Sequence, residues 1–207
     1  MSFKNETNLK NIMNLSIYQK MLILIALPVL FVTISNNLHA EDYGELRQNS
    51  KAVMITHNHD IMKSFTGKFR QIFFFTPPEA KAMNGAGKSE NNIILNERYL
   101  EINSDLMFGT DTLARKMLIG FDGMKQKYQL FQYTNIETFP LIAEGVFDDE
   151  NKSLVFTGTY PHKELNSADF KIVFKHISPD EFTYLFYEIE NNKESKILEI
   201  RNYKLGD

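Results

Sequence analysis

The chain has 207 residues, 43% of them hydrophobic and 24% charged, with a formal net charge of −3. That balance describes one globular domain with additional segments. Cysteine is absent, which excludes disulfides, thiolate zinc sites, thiol nucleophiles and a lipid-modified N-terminal cysteine.

The N-terminus reads as an export signal. Lys4, Lys10 and Lys20 precede MLILIALPVLFVTI, Met21 to Ile34, which carries no charge. This run is short for the roughly twenty residues that span a bilayer. A basic flank, an apolar centre broken by Pro28 and a polar stretch ending NLHA fit a signal peptide over residues 1–40. Leu38 and Ala40 take the minus-three and minus-one positions of cleavage, which would place the mature chain in the periplasm or outside the cell. An uncleaved inner-membrane anchor and a buried helix are the alternatives. Removing residues 1–40 takes away three lysines and Glu6, so 23 basic and 26 acidic residues become 20 and 25, a net −5. With no basic stripe to meet phosphates, nucleic acid is not an expected partner. A membrane is one only if the segment stays attached.

Residues 41–54 form a polar lead-in, and the domain is expected over 55–207. Met54, Ile55, Met62 and Phe65 recur at roughly helical spacing, and Gly67 stands where a helix should end. Beyond Gly67 the period changes to short runs rich in Phe, Tyr, Ile, Val and Thr. Strands are expected near 67–76, 82–95, 97–106, 112–121, 127–134, 140–147, 153–160, 168–177, 181–190 and 195–205. Asp122-Gly123, Asp148 to Lys152, Pro179 and the ENNKESK stretch mark reversals too tight for crossover helices, so neighbours in sequence should pair antiparallel.

Alternation assigns faces. Phe69, Gln71, Phe73 and Phe75 share one side of the first strand, with Ile72 and Phe74 on the other. Phe170, Ile172, Phe174 and His176 oppose Asp169, Lys171 and Lys175, and Leu154, Phe156 and Tyr160 oppose Ser153, Thr157 and Thr159. About ten such strands in an open sheet would leave two long edges, and closure into an up-and-down barrel removes them. The fold class is therefore all-β, an antiparallel barrel preceded by a short helix. NGAGK, Asn84 to Lys88, lacks phosphate-loop spacing and reads as a bulge or hairpin tip.

Candidate sites are few. Arg98 and Glu199 form a candidate pair, either anchoring a ligand inside the barrel or closing the wall as an ion pair; Arg201 is the alternative partner of Glu199. His176 ends a strand on the apolar face, the best placement among the histidines for haem iron or acid–base work. The acidic turn Asp148 to Asn151 reads as solvated, and no serine sits in a nucleophile elbow. No catalytic or metal-ligating residue is assigned.

Several stretches together resemble the bacterial domain-of-unknown-function 1579 family. Gly67-Lys68-Phe69 is similar to the calycin opening of glycine, one residue and an aromatic, with Phe in place of the usual Trp. Arg98-Tyr99-Leu100 resembles that family's Arg-aromatic-Leu element, and AEGVFDDENKSLVFTGTY resembles its Glu-Gly, acidic-turn, Thr-Gly-aromatic hairpin. THNHDIMKSFTGKF, LIGFDGMKQKYQLFQYTN and the closing KILEIRNYK are similar to its helix, central hairpin and last strand. The resemblance covers about residues 55–205 and implies a calycin-like, lipocalin-like barrel, often exported, with no established activity. A more distant likeness runs to nitrobindin-type haem barrels.

The leading expectation is a binding module. A small apolar or amphipathic ligand would sit among Phe69, Phe73, Tyr99, Phe131, Phe156, Phe174 and Phe186, oriented by Arg98 or Glu199, without a cofactor. The alternatives are a side-chain-filled barrel that works as a protein-interaction module, and a haem-binding or enzymatic barrel using His176.

Overall fold

Ten antiparallel strands and one short helix make up the described part of the computed structural model, which comprises residues 54–77, 81–162 and 166–206. The expected signal segment 1–40 and the lead-in up to residue 53 lie outside the described residues.

Helix α1 (His57–Lys63) is fixed at its start by chemistry rather than by its apolar spacing. The backbone N–H of Thr56 donates to His59 Nδ1 at 3.0 Å, so His59 fills the third helical position where Glu or Gln usually closes a capping box. Met54 and Ile55, expected inside this helix, therefore precede it and are exposed. The helix ends in a tightened turn, Ser64 N to Ile61 O and Phe65 N to Met62 O, that drives Met62 and Phe65 into full burial.

The strands are β1 (Gly67–Phe75), β2 (Met83–Ile94), β3 (Tyr99–Phe108), β4 (Asp111–Asp122), β5 (Lys127–Thr134), β6 (Leu141–Asp148), β7 (Ser153–His162), β8 (Asn166–Ser178), β9 (Glu181–Glu190) and β10 (Lys193–Lys204). Each pairs with its sequence neighbour, and β1 pairs with β10, with Phe73 opposite Ile200, to close the barrel. Closure leaves no edge to be protected.

The turn residues do what their chemistry allows. Asp122 Oδ1 accepts from the backbone N–H groups of Met124 and Lys125, and Asp148 Oδ1 from that of Asn151. Asn191 and Asn192 both have positive φ, 51° and 62°, as a two-residue hairpin turn requires.

Inside, side chains form layers. Beside the helix, Phe65 packs edge-on against Phe174 and Phe182, with ring centroids 5.9 and 5.3 Å away. Near mid-barrel a closed polar set interrupts the apolar stack. Ser104 donates to Gln71 Oε1 and Gln71 Nε2 to Asn202 Oδ1, both at 2.8 Å, while Asn202 Nδ2 donates to the Phe182 and Ile200 carbonyls. These buried groups are satisfied among themselves, so the set specifies the interior without the penalty of unmade bonds.

The NGAGK stretch is neither a bulge nor a hairpin tip but regular β2, paired with β1 from Gly67↔Asn91 to Phe75↔Met83. Its glycines clear space: a Cβ on Gly85 would lie 2.5 Å from Phe73 Cζ, and one on Gly87 3.2 Å from Gln71 Oε1. The same device recurs at Gly145 opposite Phe156 and Gly158 opposite Phe170.

Burial holds the pKa values of His59 and His176 below the ordinary histidine range. Both are thus kept neutral by the fold, while the unfolded chain takes up protons as pH falls through about 6.5. The unfolded state binds more protons in that window, so stability is full above it and is lost as pH drops towards the folded-state values. The barrel should lose stability between pH 7 and 5, before its carboxylates titrate. His59→Gln, which keeps the capping box, should flatten that slope in urea midpoints measured at the two pH values. An unchanged slope would assign the loss elsewhere.

Candidate functional site

The two ends of the barrel differ. At the end where the chain enters, α1 covers the interior, and Tyr128 donates its hydroxyl to the Asn58 carbonyl at 3.0 Å. At the other end a cavity of about 460 Å³ opens between the β3–β4 and β5–β6 connections and the β10 bulge. Phe75, Phe108, Leu113, Leu141, Phe186 and Leu198 make its walls. This is the size and lining of a small-molecule site.

Arg115 lies in the wall of this cavity. In DTLARKMLIG the residues in phase with Leu113, Met117 and Ile119 point inward, and Arg115 is one of them, 5% exposed. Its guanidinium carbon sits 4.4 Å from the centroid of the Tyr184 ring, a cation–π contact, and neither Nε nor Nη1 has a hydrogen-bond partner. Among the described residues no carboxylate forms an ion pair with it. Burial pushes the guanidinium below its usual range, and it pushes the Tyr184 phenol up. The Tyr184 hydroxyl donates to Gln132 Oε1 at 3.0 Å, which leaves the NH₂ of that amide as a second donor among the residues lining the cavity. Asp111 and Glu137 stand at the rim, where partial burial raises the Glu137 carboxyl.

Of the residues expected to line a cavity, the structure brings only Phe186 to this one, stacked on Phe170 with centroids 5.6 Å apart. Phe69, Phe73, Phe156 and Phe174 are buried in the packed interior. Tyr99 and Phe131 face outward: Tyr99 lies across Gly120, and Phe131 pairs with Leu118 and Ile142. Glu199 also points outward, between inward Leu198 and Ile200, and its ion pairs are with Lys196 and Arg201 Nε, the latter at 2.8 Å. Arg98 stands at the β2–β3 turn beside the helix, whereas Glu199 pairs with Phe74 towards the open end, so the two do not meet.

His176 belongs to the plugged end. Its Nε2 is 2.6 Å from Ser64 Oγ, and its ring stacks on Phe65 at 4.1 Å between centroids. Ser64 Oγ is also 2.5 Å from the Ile61 carbonyl oxygen, which can only accept. The single hydroxyl proton goes to that carbonyl, so the imidazole donates through Nε2–H and has no lone pair there to deprotonate a serine. One ring face and Nε2 are thus engaged by this arrangement. It clasps helix to barrel.

A closed ten-strand meander, plugged by a helix at one end and opening onto an apolar cavity at the other, is a calycin-like barrel. Residues 55–204 match the family described as Protein of unknown function (DUF1579), and the chain belongs to that family. Among solved structures it is similar to Rv2717c from M. tuberculosis, with a TM-score of 0.55 and 10% identity over 74% of this chain and 100% of that one. It is also similar to the S-type phycobiliprotein lyase CPES from Guillardia theta, with a TM-score of 0.54 and 8% identity over 76% and 96% of the two chains. Both likenesses are of fold. No curated protein matches the sequence.

Proposed function

We propose that this protein is an exported binder that takes a small amphipathic molecule into the open end of its barrel. The observation that carries this reading is the apolar cavity of about 460 Å³ beside a packed interior. A barrel filled from end to end would have spent its aromatics on packing alone, whereas here Phe75, Phe108 and Phe186 face space. Burying the apolar body of a ligand against such walls provides roughly 25 cal/mol per Å² of covered surface. Export follows from the N-terminal basic-apolar-polar order, with cleavage after Ala40.

The test uses protein from the periplasmic fraction, whose intact mass should begin at Glu41. Phenylnaphthylamine, a neutral fluorescent probe, should bind it with enhanced emission. Leu113→Trp, which fills the cavity from the wall, should weaken that binding at least about tenfold, the equivalent of ~1.4 kcal/mol, with little change in the urea midpoint. Equal binding by wild type and Leu113→Trp would remove the cavity as the site.

A further inference from the structure

We infer that the molecule bound in the open end carries a single carboxylate, inserted head first and received by Arg115. The inference rests on reading that cavity as a ligand site, and adds what the ligand must be.

Arg115 poses a problem that the barrel itself does not solve. A buried charge is retained at low cost only when it is paired and its donors are used. The middle of this same barrel shows the usual solution, with Gln71, Ser104 and Asn202 satisfying one another. Arg115 is 95% buried, yet two of its three nitrogens have no acceptor, and the ion pairs formed among the described residues all lie elsewhere. Its close neighbour of complementary character is Tyr184, whose ring face attracts the cation and whose hydroxyl oxygen interacts with the guanidinium, yet Nε and Nη1 stay without an acceptor. Among the described residues the site therefore supplies a charge and unused donors and lacks a carboxylate to pair with them. A methionine or leucine would have packed better against Leu113 and Phe108 if packing were its whole purpose.

The surroundings narrow the anion. Gln132, its carbonyl oxygen held by the Tyr184 hydroxyl, adds an amide NH₂ to the same cavity lining, so the planar guanidinium with this second donor suits a planar group with two acceptor oxygens. The rim carries Asp111 and Glu137 and no lysine or arginine. A dianion such as a phosphate monoester would face one cation at the bottom and two carboxylates at the entrance, whereas a monocarboxylate is neutralised by Arg115 alone. Beyond the head, the walls of Phe75, Phe108, Phe186 and Leu198 accept a hydrocarbon or aromatic body.

The experiment compares dodecanoate, dodecanol and dodecyl phosphate as ligands in isothermal titration calorimetry, using the cleaved protein, Arg115→Met and Leu113→Trp. On the wild type, dodecanoate should bind about ten- to a hundredfold tighter than dodecanol, the range expected for charged hydrogen bonds in a buried site, and tighter than dodecyl phosphate. Arg115→Met should erase the preference for the acid while keeping dodecanol, and Leu113→Trp should weaken both. Equal affinity of the wild type for acid and alcohol would overturn the assignment to Arg115 and leave the cavity a ligand site. So would an Arg115→Met protein that still prefers the acid. Should dodecyl phosphate bind as tightly as the acid, the single-carboxylate assignment falls. Absence of binding by acid and alcohol alike would overturn the inference together with the reading beneath it. Because the wild-type comparison needs no variant, misfolding of Arg115→Met would not shield the idea.

Discussion

Replacing Phe174 by alanine should destabilise the barrel by about 3–5 kcal/mol, the range seen when a fully buried phenylalanine is truncated. Phe174 is 1% exposed and meets four rings: Phe65, Phe156, Phe182 and Tyr184, at centroid distances of 5.9, 6.1, 6.4 and 5.2 Å. Phe156 belongs to β7, Phe182 and Tyr184 to β9 and Phe65 to the segment that plugs the end, so no single neighbour can move in to fill the space. The cost is the lost apolar transfer together with a cavity that stays open. Val173, one residue earlier on the outer face, is only half-buried, and Val173→Ala should cost about 1 kcal/mol or less. With urea slopes of about 1–3 kcal/mol per molar, Phe174→Ala should lower the unfolding midpoint on the order of 2 M. Similar midpoints for the two variants would mean that the interior is not packed as described.

That contrast depends on a pattern that is plain in the amino-acid sequence. In FKIVFKH the residues Phe170, Ile172, Phe174 and His176 alternate with Lys171, Val173 and Lys175, and the inward and outward sets fall where alternation places them, as do those of β1 and β7. Strand limits were legible for the same reason, because Asp-Gly, Pro-Asp and Asn-Asn interrupt the runs at the turns themselves. The helix was less legible. Its apolar spacing begins at Met54, but the cap is made by Thr56 and His59, and a histidine standing in for Glu or Gln gives no familiar signature.

The site was the least legible part. Arg115 is in phase with Leu113, Met117 and Ile119, so the alternation that sorted the phenylalanines also turns this arginine inward. The signal was available but is easily set aside, since an arginine between Ala114 and Lys116 suggests a solvated strand. Conversely, Glu199 drew attention as a charge near the closing strand, although Leu198 and Ile200 on either side turn it outward. Where the void lies cannot be read from one strand at all. It depends on which layers of a closed barrel fill completely, and that is set by side chains brought together from up to ten strands.

Gly145→Ala should destabilise the protein by about 1–3 kcal/mol although it only adds a methyl group, and Phe156→Leu should relieve part of that loss. Gly145 sits inside the barrel directly across from Phe156, and a Cβ there would come within 2.6 Å of Phe156 Cδ1 and 2.4 Å of the Val155 carbonyl oxygen. The ring can lie over the neighbouring strand only because nothing projects from it. The same pairing holds for Gly85 with Phe73 and Gly158 with Phe170, and for Gly120 with Tyr99 on the outer face. In an ordinary strand position alanine would gain a few tenths of a kcal/mol by restricting the unfolded chain, so the expected sign is opposite to the intrinsic preference. Overpacking in a close-packed interior accounts for the size of the loss. A leucine at 156 leaves the space over Gly145 that the phenylalanine ring fills, so the two substitutions should not add. The double variant should be more stable than the sum of the single losses predicts, by about 0.5–2 kcal/mol in a double-mutant cycle. Strict additivity would show that the clash is with the Val155 backbone alone, and that the glycine serves the strand rather than the ring.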